Sequence, residues 1–155
     1  MLVTYAGKKI LIDGDAETTT DSLCGESEVG LLLDRYASNG LLDVDLWVVG
    51  HHGSDNGTST DLLRQLTPAI AAISAGGRQP QLTFSAWGYG HPRQSAVERL
   101  EQIVTGTRPR KTVYVMPGQH QYKDWIVTKA IYCTCWDGSL TFTVDRNAIT
   151  TGGQN

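Results

Sequence analysis

The chain has 155 residues, of which 40% are hydrophobic and 19% are charged, and its formal net charge is −3. These values are typical of one globular domain with a sizeable core, and the net charge gives no basic field that would indicate nucleic-acid binding by itself. The chain has no apolar run of about eighteen residues and no signal-peptide pattern at its start, so we expect no membrane segment and a cytoplasmic location, unless the chain is cut from a larger protein.

Strands and helices alternate along the sequence. The predicted elements, in order, are strands at residues 2–5 and 8–13, a helix at 28–37, a strand at 44–50, a helix at 59–66, a strand at 69–74, a helix at 95–104 and a strand at 111–116. The strand at 44–50 is apolar almost without interruption, which indicates a central strand buried on both faces. This order predicts an α/β layered domain over residues 1–145, followed by a flexible tail at 146–155.

The last predicted element is a hairpin around Asp137-Gly138, a dipeptide typical of two-residue turns. It would pair residues 129–136 with residues 139–145. Counting outward from the turn places Cys133 and Cys135 on one face with apolar residues, so we expect both cysteines to be buried, reduced and free of metal. The third cysteine, Cys24, lies in a polar segment and indicates little.

Polar residues with metal-binding chemistry follow two of the apolar strands. Asp13 and Asp15 come after the strand at 8–13, and the spacing alone favours aspartates that accept backbone amides in a turn over metal ligands. His51 and His52 come directly after the central strand. Adjacent residues of a strand point to opposite faces, so one imidazole could bind a metal ion while the other contacts a substrate or supports the site. A pair of structural histidines is an equally good interpretation.

Three further residues belong to this group. Ser54 could donate a hydrogen bond to an imidazole or to a phosphate oxygen. His91 lies between a glycine and a proline just before a helix, where a fixed backbone could present it over a cleft. His120 is best interpreted as part of a solvated loop. In open α/β sheets, sites gather beyond the carboxyl ends of the strands, so we expect Asp15, His51 or His52, and His91 to lie on one rim.

Four stretches taken together resemble a known family. They are "YAGKKILIDGDAE", "DVDLWVVGHHGSDNGTSTDLLRQLTPAIAAIS", "YGHPRQSAVERLE" and "AIYCTCWDGSLTFTVD". In this order they resemble the carboxyl-terminal half of the metallo-β-lactamase-fold domain of ComEC-type competence proteins. The resemblance extends from about residue 2 to about residue 145, and the combination of "GDAE", "GHHGS" and "YGHP" is more specific than any one of them.

The resemblance implies half of an αββα sandwich and a divalent-metal hydrolase, with zinc or manganese as the cofactor. It implies a metal ligand at Asp15 and another at His51 or His52, a choice that the motif leaves open, with catalytic roles for His52 and His91 and a substrate contact for His91. The hydroxyl chemistry of Ser54 makes it a second candidate for a substrate contact. The reaction implied is hydrolysis of phosphodiesters, a nuclease activity related to DNA uptake, in which the metal ion activates water.

One departure from the family is large. The His-x-His-x-Asp-His motif that supplies most ligands in that family is absent from this sequence, whose first histidine is His51. A catalytic zinc site usually has three protein ligands. We therefore expect an incomplete site, completed by a missing amino-terminal half or by a homo-oligomer, with weak metal binding by the isolated chain. The alternative is a degenerate, non-catalytic domain that acts by assembly or ligand binding.

Overall fold

The computed structural model describes residues 1–18, 26–79, 82 and 84–153. Cys24, parts of the polar loop after β2 and of the loop before α3, and the last two residues of the predicted tail lie outside this range. The elements are β1 (Leu2–Tyr5), β2 (Lys8–Ile12), α1 (Glu28–Tyr36), β3 (Leu46–Val49), α2 (Thr60–Leu66), β4 (Ile70–Ile73), α3 (Ala86–Tyr89), α4 (Gln94–Ile103), β5 (Thr107–Val115), β6 (Lys123–Lys129), β7 (Ile131–Cys133), α5 (Thr134–Asp137), β8 (Leu140–Val144) and β9 (Ile149–Gly153), with short 3-10 turns at Ala37–Asn39 and His51–Gly53.

The largest sheet has five strands in the order β1-β2-β3-β4-β7. β2, β3, β4 and β7 are parallel to one another, and β1 pairs antiparallel with β2 at the edge. β3 is the middle strand, which confirms the prediction of a central strand ending at the two histidines. Trp47 on β3 is fully buried, as expected where both faces of a parallel sheet are covered. The chain is therefore a mixed α/β domain.

The three predicted helices are confirmed as α1, α2 and α4. The side chain of Ser27 accepts a hydrogen bond from the amide of Gly30 at the start of α1, and Ser59 does the same for Leu62 at the start of α2. Each helix turns an apolar side to the core. The fully buried helical residues include Val29 of α1, Leu62, Leu63 and Leu66 of α2, and Ala96, Val97 and Leu100 of α4. None of the described helices has the length and apolar character needed to cross a membrane.

The predicted hairpin around Asp137-Gly138 is wrong. β7 ends at Cys133 and pairs in parallel with β4, residues 134–137 form α5, and β8 pairs with β9 instead. β9 lies in the segment expected to be a flexible tail. The structure also joins Cys133 and Cys135 in a disulfide, so the expectation of two reduced cysteines is wrong as well. Cys133 is buried as expected, whereas Cys135 is only half-buried.

The reason for this difference is the position of the Asp137 carboxylate. It accepts hydrogen bonds from Arg108 and Lys111 of β5, at 2.7 and 2.6 Å, and from the backbone amide of Cys133, at 3.1 Å. Burial opposes ionisation of Asp137, but the bonds from these two cations outweigh it and lower the pKa to about 2. Contacts distant in sequence thus hold residues 134–137 in a helical turn, against the local turn preference of Asp-Gly.

Candidate metal and substrate site

The loops after β2 and β3 are joined before they reach the candidate site. The amide of His51 donates to the carbonyl oxygen of Gly14 at 2.8 Å. Gly50, the residue between β3 and the histidines, packs so closely that an added Cβ would lie 3.1 Å from Asp13 Oδ1 and 3.2 Å from the carbonyl oxygen of Ala16. The absence of a side chain at Gly50 therefore allows the two strand ends to meet.

The backbone at the two histidines is in an uncommon conformation. His51 has φ of 45° and His52 has φ of 56°, both in the left-handed region, and Gly53 follows with φ of 73°. A residue with a Cβ is strained there by about 1 kcal/mol or more. Strained backbone persists only where surrounding contacts over-determine it, and it clusters at functional sites. The geometry therefore marks this turn as a candidate site on grounds independent of its imidazoles.

A cavity of about 530 Å³ opens beside the histidines. Its lining residues are Asp15, His51, His52, Phe84, Ser85, Ala86, Tyr89 and His91. The ring centroids of His51 and His91 are 5.5 Å apart, and those of His51 and His52 are 6.3 Å apart. The structure thus gathers Asp15 and three of the four histidines on one rim. Their roles as ligands or catalysts stay predictions.

Both adjacent histidines use Nδ1 for contacts inside the protein. Nδ1 of His51 lies 2.8 Å from Oε1 of Glu17, and Nδ1 of His52 lies 2.6 Å from the carbonyl oxygen of Ser74, the residue after β4. A carbonyl oxygen only accepts, so Nδ1 of His52 carries the proton. Each ring is thereby oriented, and Nε2 is the nitrogen that remains for a ligand in the cavity.

His91 has a different environment. Its residue is only 9% exposed, and its ring stacks on that of Tyr89 with centroids 6.4 Å apart. Burial lowers the pKa of His91 to about 4, and repulsion from Arg93 and from the two neighbouring imidazoles when they carry a second proton acts in the same direction. The ring is therefore neutral at physiological pH. It can donate a hydrogen bond to a substrate or accept one from it, and it adds no positive charge to the cavity.

The two aspartates after β2 occupy different positions. Asp15 is exposed and lines the cavity. Asp13 is half-buried: its Oδ2 accepts a hydrogen bond from the indole of Trp47 at 2.9 Å, and its Oδ1 is packed against Gly50. Burial raises the pKa of Asp13 to about 7, the Trp47 bond opposing this effect. Asp15 is thus the aspartate available to a ligand, and Asp13 joins β2 to β3.

Ser54 and His120 do not line the cavity. Ser54 is 2% exposed, and its hydroxyl donates to Asn56 Oδ1 at 2.6 Å and accepts from the amide of Gly57 at 3.0 Å. Its hydroxyl is thus already used inside the loop, and the predicted substrate contact has no support from this geometry. His120 is exposed in the loop between β5 and β6, as the sequence indicated.

The side chains fit a divalent metal in chemistry but not in number. Imidazole Nε2 atoms and a carboxylate are suitable ligands for zinc or manganese. Within residues 1–18, 26–79, 82 and 84–153, however, no three side chains of His, Cys, Asp or Glu lie close enough to hold one ion together. These residues therefore supply at most part of a ligand set.

The sequence did not indicate three residues that the structure places at the site. Glu17 and Asn56 contact His51, and Tyr89 stacks on His91. Glu17 belongs to the "GDAE" motif, so the motif was a signal that could have identified it. The position of Asn56 beside Glu17 depends on two loops meeting, which no local pattern indicates.

Two proteins share part of this sequence. Recombination protein 2 of Haemophilus influenzae is 31% identical over 102 residues, which are 66% of this chain and 10% of that protein. ComE operon protein 3 of Bacillus subtilis is 31% identical over 129 residues, which are 81% of this chain and 14% of that protein. The chain thus spans about a seventh or less of either relative. No protein-family model matches it, and neither does any solved structure. The similarities support a relation to competence proteins.

Proposed function

We propose that this chain supplies the carboxyl-terminal part of a metal-dependent hydrolase site of the metallo-β-lactamase type, which acts on phosphodiesters. The observation that carries the proposal is the orientation of His51 and His52. Both rings are fixed through Nδ1 and leave Nε2 for a cavity that Asp15 and His91 also line. Preformed donors around a cavity are typical of metal and substrate sites.

The residues have distinct roles in this proposal. A bound zinc or manganese ion would polarise a phosphoryl oxygen and lower the pKa of a water molecule. Asp15 and one of His51 and His52 would hold the ion as part of its ligand set, because no three such side chains converge among the described residues. His91, neutral and stacked on Tyr89, would contact the substrate at the rim.

A nucleic-acid phosphodiester is the proposed substrate class, in a process related to DNA uptake. The support is the similarity to part of ComE operon protein 3 and the resemblance of the motifs to ComEC-type competence proteins. A net charge of −3 gives the chain as a whole no electrostatic attraction to the phosphate backbone. Contact with the phosphates would therefore depend on the metal ion.

The missing ligands would come from an amino-terminal half or from a second copy of the chain. β1 lies at the edge of the five-stranded sheet, and the residue Leu2 on it is 39% exposed. An unpaired strand edge is a surface on which another chain can add. Native mass spectrometry of the purified protein, combined with metal analysis, tests this part of the proposal.

The activity itself is tested with a phosphodiester substrate in the presence of zinc or manganese. The chain is compared with a variant that carries Asp15→Ala, His51→Ala and His52→Ala, both alone and joined to an amino-terminal half that contains a His-x-His-x-Asp-His motif. We expect turnover only in the joined form and its loss in the triple variant. Equal turnover in the joined wild type and the joined triple variant would contradict the proposal.

A second candidate is a non-catalytic domain that acts by assembly or ligand binding. It is favoured by the lack of three converging ligands among the described residues. Metal content discriminates between the two candidates, because stoichiometric zinc or manganese in the purified protein would exclude the second.

A further inference from the structure

Glu17 is the centre of a hydrogen-bond network that surrounds His51. Oε1 of Glu17 lies 2.8 Å from Nδ1 of His51, and Oε2 accepts a bond from Nδ2 of Asn56 at 2.5 Å. Oδ1 of Asn56 lies 3.2 Å from the same Nδ1 and accepts from the hydroxyl of Ser54 at 2.6 Å. The backbone supports the arrangement, since the amide of Thr18 donates to the carbonyl oxygen of Asn56 at 2.9 Å.

The donors and acceptors in this network can be assigned from chemistry alone. An ionised carboxylate only accepts, so the Asn56 atom that faces Glu17 is its NH2 group. Oδ1 of Asn56 must then face His51 and Ser54. Nδ1 of His51 thus lies between two acceptors, the Glu17 carboxylate and the Asn56 carbonyl group. Only a protonated Nδ1 satisfies both of them.

We propose that Glu17 is a positioning residue that fixes the neutral ring of His51 in the Nδ1–H tautomer. The lone pair then resides on Nε2, which is the nitrogen left for the cavity. Glu17 itself does not line the cavity. Its link to metal binding rests on the proposed function, whereas its control of the tautomer does not.

A carboxylate is better suited to this position than an amide. Glu17 offers two acceptor atoms to two donors, Nδ1–H of His51 and NH2 of Asn56. A glutamine would have only one acceptor and would place its own NH2 group against one of these donors. Glu17→Gln is therefore close in size to the native residue but cannot satisfy both contacts, and it separates the hydrogen-bonding role from the packing role.

The test is the 15N–1H spectrum of the histidine rings at about pH 8.5, well above the ordinary histidine pKa of about 6.5. The signals of protonated and unprotonated ring nitrogens are well separated, and His51 is assigned by the loss of its signals in His51→Gln. We expect one tautomer, Nδ1–H, in the wild type and a mixture of both tautomers in Glu17→Gln and Glu17→Ala. His52 is an internal control, because the carbonyl oxygen of Ser74 holds its Nδ1 proton in all variants.

Two results would overturn the proposal. One is an Nε2–H tautomer at His51 in the wild type, which needs no variant to fold. The other is an unchanged His51 tautomer in both Glu17 variants, which would mean that Asn56, and not Glu17, fixes the tautomer. Asp34→Asn, an exposed carboxylate of α1, is the matched control and should change nothing.

A zinc titration followed through the His51 signals separates this proposal from the proposed function. Loss of a residue that orients a histidine ligand lowers metal affinity by about 10- to 100-fold. We expect a weakening of about tenfold or more in Glu17→Gln. A tautomer change without any zinc contact at His51 would support the role of Glu17 and contradict the metal site. Zinc binding at His51 together with an unchanged tautomer in the Glu17 variants would support the metal site and contradict the role of Glu17.

Discussion

At the scale of single residues, the left-handed backbone at His52 has a measurable effect on stability. With φ of 56° and ψ of 25°, glycine is favoured there over any residue with a Cβ. We predict that His52→Gly is more stable than His52→Ala by about 1 kcal/mol, since both variants lose the same bond to Ser74. Urea denaturation of the two variants measures this difference.

A matched pair of variants at Arg64 tests whether the order of stability of glycine and alanine depends on the local backbone. Arg64 is exposed within α2. In a helix alanine is favoured over glycine by about 1 kcal/mol, so Arg64→Ala should be more stable than Arg64→Gly. The same order of stability at both positions would mean that the turn at His52 is not left-handed in solution.

Gly57 tests how closely the histidine turn is packed. A Cβ added at Gly57 would lie 2.9 Å from the carbonyl oxygen of Gly50 and 3.0 Å from Oγ of Ser54, whereas a Cβ at Gly76 would meet no atom within 4 Å. We predict that Gly57→Ala destabilises the fold by about 1–3 kcal/mol because the loop must separate from β3. Gly76→Ala, the control, should change the unfolding free energy by less than about 0.5 kcal/mol. Equal effects in thermal denaturation would contradict this packing.

At the scale of elements, periodicity was sufficient where an element is stabilised by its own apolar face. The apolar run that ends at Val49 predicted the central strand, and the spacing of Val97 and Leu100 predicted α4. The hairpin prediction failed because Asp137-Gly138 has a local turn preference that the ion pairs with Arg108 and Lys111 override. These cations are more than twenty residues away in sequence, so no window around the turn could indicate them.

The candidate site was likewise predictable where local sequence determines it and not where it depends on contacts between distant segments. Asp15, His51 and His91 follow apolar strands or precede a helix, and their chemistry is visible in the residue types. Glu17 was not predictable as the partner of His51, because that contact depends on the loop after β2 folding over the turn after β3.

The Asp137 cluster gives the fold a defined pH dependence. The pKa of Asp137 is lowered from 3.8 to about 2, with the carboxylate only 9% exposed between Arg108 and Lys111. A carboxyl whose pKa is lower in the folded state stabilises the fold above its unfolded pKa, and this contribution is lost as the pH falls through the folded pKa. The contribution should therefore be complete above about pH 5 and absent near pH 1–2. After allowance for solvent screening it amounts to about 1–2 kcal/mol.

We predict that Asp137→Asn is less stable than the wild type at pH 7 and that the difference becomes smaller as the pH falls from about 4 to about 2. Urea denaturation at several pH values measures it. Asp34→Asn, an exposed carboxylate of α1, provides the reference. A difference that stays constant across this pH range would show that the Asp137 pairs contribute nothing through ionisation.

At the scale of the whole molecule, the parallel sheet explains why distant segments meet at one cavity. β2, β3 and β4 run in the same direction, so their carboxyl termini lie at the same end of the sheet. Asp15 follows β2, His51 follows β3, and Ser74, which holds His52, follows β4. His91 reaches the same end of the sheet from the turn between α3 and α4. The topology thus assembles the cavity, and the number of ligands that it can gather is limited by the residues that these four segments carry.

This limit leads to a prediction about the stability of the whole chain. A ligand that binds only the folded state stabilises it by RT ln(1 + [L]/Kd). A complete zinc site with Kd near 1 µM would contribute about 2.7 kcal/mol at about 0.1 mM zinc, and would raise the melting temperature by about 5–10 °C. With no three ligands converging among the described residues, we expect a Kd for zinc above about 1 mM and a contribution to stability below about 0.1 kcal/mol.

Thermal denaturation of the isolated chain should therefore give nearly the same melting temperature with zinc and with a chelator. The variant with Asp15→Ala, His51→Ala and His52→Ala controls for zinc bound elsewhere. A rise of several degrees that disappears in this variant would show that the chain by itself builds a complete metal site.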